Sequence, residues 1–151
     1  MKKILKVGNL SNKAFNRYGR ILLPTKGENP NVSEETVFDF YILFSQVEGR
    51  GWRTAYLRYQ GELLEKLERH LGTAEVFIPL QGHSVLVVAT EVDPLKQLHA
   101  FYLDKPLVID KGIWHNVVSV GGAAELLIME NLEVDVDYYK LKEPMSVYLA
   151  G

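Results

Sequence analysis

Two histidines, His70 and His115, each stand in a stretch that also carries a carboxylate and a glycine turn. The first stretch runs Glu68-Arg69-His70-Leu71-Gly72-Thr73-Ala74-Glu75 and continues to Gly82; the second is Asp110-Lys111-Gly112-Ile113-Trp114-His115. Imidazole and carboxylate converging on one point can share a proton or hold a divalent cation, because both offer lone pairs that suit hard or borderline metals. On one regular strand, however, His70 and Glu75 point to opposite faces, since their separation is odd and the side-chain period is two. A turn at Leu71-Gly72-Thr73 removes that obstacle by placing the two residues on neighbouring strands. Glu68, two residues before His70, then points the same way as His70. Glu75 lies among Ala74, Val76, Phe77 and Ile78, where a carboxylate is costly to bury unless paired or ligating.

The remaining candidates have weaker claims. His83 follows Gly82 and reads as an exposed turn residue. His99 alternates with Gln97 and Phe101 along one strand face, lining a pocket or meeting solvent. Trp114 and Phe77 read as core or pocket wall. Arg50, Arg53 and Arg58 read as a solvated face, and Glu68 has two open readings, as a ligand or as an ion-pair partner of Arg69 or Arg58.

These residues need a framework of strands. From Thr36 onward the chain is a series of short segments rich in Val, Ile, Tyr and Phe with turn residues between them. Strands are expected over Val37 to Phe44, Thr54 to Tyr59, Ala74 to Leu80, Val85 to Thr90, Gln97 to Leu103, Leu107 to Ile109, Trp114 to Val118, Glu125 to Met129 and Val147 to Leu149. Pro79-Leu80-Gln81-Gly82 is expected to close one of them with a tight turn. Gln60 to Glu68 is ambiguous, because Leu63, Leu64 and Leu67 fit a helical face, and it is read as a loop entering a strand near Leu67. Before this region, Ser11 caps a short helix ended by Gly19, Ile21 to Leu23 is a strand, and Pro24 to Asn31 is an exposed loop. The pattern predicts an all-β sandwich or barrel in one domain over residues 1–151.

Composition narrows the function classes. The chain has 151 residues, 47% of them apolar and 24% charged, which suits a packed core. Its 17 Lys and Arg against 19 Asp and Glu give a net charge of −2, so nucleic acid and anionic membrane surfaces are not expected partners. The absence of cysteine excludes thiolate sites and cysteine nucleophiles. Lys2, Lys3 and Lys6 stand near the start with no long apolar run after them, and a cytoplasmic location is expected.

The two histidine stretches resemble the paired motifs of the cupins. Those motifs are an H-x-H with a following Glu and Gly, and a P-x-G-x-x-H. Here Glu68 takes the place of the first histidine and Asp110 that of the proline. Within the cupins, the chain is similar to the ureidoglycolate lyase family. The resemblance rests on Phe15-Asn16-Arg17-Tyr18-Gly19, Leu67-Glu68-Arg69-His70, Gly72-Thr73, Phe77-Ile78-Pro79-Leu80, Leu98-His99-Ala100-Phe101 and Gly112-Ile113-Trp114-His115. It lapses between Ile21 and Gly49, and Asn116-Val117 replaces a histidine and proline common in the family.

The resemblance implies a cupin-type jelly-roll barrel with one or two short helices, assembled as a homodimer. It also implies cleavage of ureidoglycolate to glyoxylate and urea in purine (allantoin) breakdown. His70, Glu75 and His115 are then the catalytic residues, acting directly or through a divalent metal held by Glu68, His70, Glu75 and His115. Arg69, Trp114 and His99 are the expected contacts to a small carboxylate substrate. The rival readings are a non-catalytic cupin binding a small acid or sugar, and a different metal-dependent cupin enzyme.

Overall fold

The computed structural model of the protein describes residues 4–92 and 97–149; Lys2 and Lys3 lie outside them. Two long strands set the architecture. β7 (Glu75–Ala89) and β10 (Trp114–Asn131) pair antiparallel along most of their lengths. The register breaks between Val120 and Glu125, where Gly121 and Gly122 have φ of 75° and 133°, opposite Gly82 with φ of 81°. The two expected pairs of short strands are therefore two continuous strands, each carrying its glycines at an irregularity in the ladder rather than at a turn. Pro79 is tolerated because β7's other edge pairs only over residues 75–77 and 85–88, so no partner there needs its missing N–H.

β9 (Leu107–Ile109) pairs with the start of β7 and β8 (His99–Tyr102) with its end. β5 (Trp52–Tyr59) pairs with the second half of β10, while β6 (Leu63–Arg69) meets the first half at Glu68 and His115. β1 (Ile4–Gly8) lies parallel to both β8 and β11 (Asp137–Tyr148), and β11 pairs with β6. The order β7-β8-β1-β11-β6-β10 thus returns to β7 and closes a ring, which leaves those strands no free edge in the circuit. β2 (Gly19–Ile21) extends the sheet beyond β9, and β3 (Val32–Glu34) with β4 (Phe38–Phe40) makes a separate hairpin. The expected strand from Val37 to Phe44 shrinks to β4, and Phe38, Phe40 and Ile42 are exposed.

The only helix among the described residues is α1 (Asn12–Phe15), capped by the Ser11 hydroxyl, which accepts from Ala14 N at 3.2 Å. No described helix is long and apolar enough to cross a membrane. Gln60 to Glu68, read as a loop, is mostly β6, because Leu64 and Leu67 are both buried against the ring's own core.

The described residues form two cores. One draws on all six ring strands, with Val7, Leu64, Leu67, Val87, Ala100, Trp114 and Leu141 among its members. The other lies on the opposite face of β7, β8 and β10, where Phe15, Tyr18, Ile21, Phe77, Leu86, Val88, Phe101, Leu107 and Leu126 pack together. The fold is an all-β cupin-type barrel with almost no helix.

At Gly82, a Cβ would lie 2.3 Å from Ala123 O and 2.8 Å from Ala124 Cα, at a φ that disfavours any L side chain. Gly82→Ala is therefore expected to lower stability by about 2–4 kcal/mol, read as a lower urea midpoint at unchanged slope. A variant as stable as the parent would contradict this account of the bend.

Candidate active site

Four side chains converge where β6, β7 and β10 meet. Glu68 and His115 are directly paired across β6 and β10, His70 follows the end of β6, and Glu75 opens β7. His70 Nε2 lies 2.8 Å and His115 Nε2 3.1 Å from the same Glu75 oxygen. Glu68 Oε1 is 4.0 Å from His70 Nε2 and 3.8 Å from His115 Nε2. The side chains of His70, Glu75 and His115 are no more than 6% exposed, whereas Glu68 at 30% marks the side open to solvent.

The turn between His70 and Glu75 is held from two directions. Asp135 accepts hydrogen bonds from Leu71 N at 2.9 Å and Gly72 N at 3.0 Å. Gln46 donates to Thr73 Oγ1 and to Asn131 Oδ1, and accepts from Ala74 N at 3.0 Å. Asn131 in turn donates from its side chain to Gly72 O. His70 O accepts from Gly112 N at 2.8 Å, which ties this turn to the Asp110-Lys111-Gly112 turn preceding His115. Asp135, Gln46 and Asn131 carry no mark in the sequence: they lie far from both histidine stretches, and no local spacing points to them.

Both imidazoles are oriented by backbone. His70 Nδ1 lies 2.8 Å from Asp135 O and His115 Nδ1 2.9 Å from Ile113 O. A carbonyl only accepts, so each Nδ1 carries a hydrogen and each Nε2 is turned toward Glu75. Burial works against the charged form of His70, but the hydrogen bonds to Glu75 and Asp135 O and the charges of Glu75 and Glu68 raise it to about 9. Burial likewise pushes Glu75 up, yet its hydrogen bonds from His115 and His70 and their charges bring it down to about 2.

A divalent cation fits this donor set. The four ligand atoms lie within 4.8 Å of one another. Bonds of about 2.0–2.1 Å in tetrahedral geometry separate ligands by roughly 3.4 Å, which falls inside the observed span of separations. Two Nε2 atoms with Nδ1–H bonded to carbonyls, plus two carboxylates, is the arrangement borderline metals take.

The other sequence-derived candidates lie elsewhere. Arg69 and Trp114 each sit one residue from a cluster member, and alternation turns them to the opposite face. There the guanidinium stacks 4.5 Å from the Trp114 ring centroid and donates to Asp137 at 3.0 Å. They are not brought to the cluster, and Asp137, not Glu68, is the partner of Arg69. His99 is paired through β8 with Val88, which is paired with His115, so two strand spacings separate them. Its Nδ1 contacts the Tyr18 hydroxyl. His83 is exposed as expected, but within β7, where it contacts the Tyr102 hydroxyl at 2.6 Å.

A barrel of this topology with buried histidines and carboxylates at the junction of its two motif strands is a cupin. The ureidoglycolate lyase family model matches residues 2–148, and the chain belongs to that family. No curated protein matches it. Solved structures similar in fold include a cupin 2 domain-containing protein from Halorhodospira halophila, 18% identical with a TM-score of 0.46, covering 64% of this chain and 67% of that one. Another is a 3,4-ketoisomerase from Thermoanaerobacterium thermosaccharolyticum, 15% identical with a TM-score of 0.44, covering 82% and 84%.

The two shifts set opposite pH limits for the cation-free protein. His70 binds its proton more tightly when folded, so its contribution is complete below pH 6.5 and is lost as pH rises through about 9. Glu75 is more acidic when folded, so its contribution holds above pH 4.5 and is lost as pH falls through about 2. Unfolding free energy of the metal-free protein should decline between pH 6.5 and 9 with a slope of up to about 1.4 kcal/mol per pH unit. Glu75→Gln should flatten that decline; an equal slope in the variant would contradict the assignment.

Proposed function

We propose that this chain cleaves ureidoglycolate to glyoxylate and urea at the Glu68, His70, Glu75 and His115 cluster. The reading is supported by family membership together with one observation, the convergence of two imidazole Nε2 atoms on one buried carboxylate oxygen. The reaction collapses a carbinolamine. The carbinol O–H loses its proton, the C–N bond breaks with its electron pair going to nitrogen, and the departing urea nitrogen gains a proton. One proton moves from oxygen to nitrogen, so a single carrier suffices.

Glu68 suits that role. It is the member nearest solvent, and it sits farther from the imidazoles than Glu75 does. Glu75 is held as an anion by two hydrogen bonds, which makes it a poor proton acceptor and a good anchor. With Glu68, the most distant of the four donors, left to carry the proton, His70, Glu75 and His115 would hold a divalent cation, and that cation would supply Lewis acidity for the developing oxyanion. Without it, the charge of His70 provides positive potential at the same place. The substrate carboxylate is not met by Arg69, whose guanidinium is committed to Asp137 and Trp114.

Glyoxylate release from racemic ureidoglycolate, measured above the spontaneous rate, tests this. The parent is expected to accelerate release, with Glu68→Gln and His115→Ala each losing about 10²-fold or more in kcat. Release at the spontaneous rate by the parent would overturn the proposal, the more so if small carboxylates raised its thermal midpoint without turnover. Equal rates for the parent and His115→Ala would overturn the site.

A further inference from the structure

On the far side of β8 from the cluster, β1, α1 and β8 border a cleft of about 730 Å³. That volume is within the range of small-molecule sites. Lys6, Lys13 and Arg17 line it with Tyr18, His99 and Phe101, and no described carboxylate does. Among the described residues, none of the three cations is engaged in an ion pair. In a chain of net charge −2 this is a local concentration of positive charge.

A hydrogen-bond donor accompanies the charges. The Tyr18 ring is 2% exposed, and burial raises its phenol, although Arg17 opposes the shift. The phenol therefore keeps its hydrogen, and its oxygen lies 2.5 Å from His99 Nδ1. In the tautomer that accepts at Nδ1, His99 carries its hydrogen on Nε2, and His99 is an exposed residue of the cleft. Phe101, 6% exposed and packed edge-on against Phe15, gives the cleft a rigid apolar wall.

We propose that this cleft binds an organic anion, a phosphate or carboxylate head on an apolar body. Lys6, Lys13 and Arg17 surround the head, His99 Nε2 donates to it, and Phe101 packs against the body. The site is separate from the cluster. Two strand spacings of about 4.8 Å place His99 roughly 10 Å from His115, with buried Val88 between them.

Calorimetric titration of the full chain tests this with phenyl phosphate and phenylacetate as probes and inorganic phosphate as the control without a body. At least one organic probe should bind at one equivalent and more tightly than inorganic phosphate. Which one binds identifies the head group. Its Kd should rise about tenfold or more in Lys13→Gln with Arg17→Gln, as expected for losing charged hydrogen-bond donors. Both residues are exposed, so the thermal midpoint of that variant should match the parent's. Lys13→Gln alone should weaken binding by a smaller factor, and His115→Ala should bind as the parent does. The proposal is overturned if neither organic probe binds, if the double variant binds unchanged, if His115→Ala abolishes binding, or if inorganic phosphate binds as tightly.

Discussion

One buried carboxylate, Glu75, organises this protein's site. Taking an ionised carboxylate out of water costs several kcal/mol unless its lone pairs are matched by donors. Here two imidazoles supply them, both directed at one oxygen. The interaction works in both directions. Glu75 stays ionised because the histidines face it, and His70 is charged well above neutral pH because Glu75 and Glu68 face it. Losing any of the buried three leaves the others desolvated without their partner.

The rest of the fold can be understood as what delivers those groups to one point. β10 carries His115 at its start and β7 carries Glu75 at its start. The strands run antiparallel, so their starts lie at opposite ends of the shared ladder. Glu75 reaches His115 because the ladder is interrupted at Gly82 and at Gly121 and Gly122, which redirects both strands. The ring through β8, β1, β11 and β6 then brings Glu68 directly beside His115. Asp135, from the segment leading into β11, fixes the Leu71-Gly72 turn and orients His70, so the last third of the chain completes a site begun in the middle.

The part of this that the sequence makes legible is the part governed by local spacing. The odd separation of His70 and Glu75 requires a turn, and Gly72 supplies one; Gly112 feeds the strand carrying His115. The same period-two rule turns Arg69 and Trp114, expected as substrate contacts, to the face opposite their neighbours in the cluster. Other differences come from pairing at long range. Pro79 and Gly82 resemble a turn, yet β10 holds that segment extended. Leu64 and Leu67 are three residues apart, as on a helix, yet both pack against the ring core of an irregularly paired strand. Gln46 and Asn131 meet across 85 positions of sequence, because β5, which follows Gln46, pairs with the end of β10.

We propose that Glu75 gathers His70 and His115 into one site for a divalent cation, and Co²⁺ titration followed by visible absorption tests this most directly. Saturation is expected at one equivalent, with a ligand-field band of low-symmetry nitrogen and oxygen coordination. Binding should tighten as pH rises toward 9, where His70 releases its proton, and the band should be lost in Glu75→Ala. A band that survives unchanged in Glu75→Ala would contradict it.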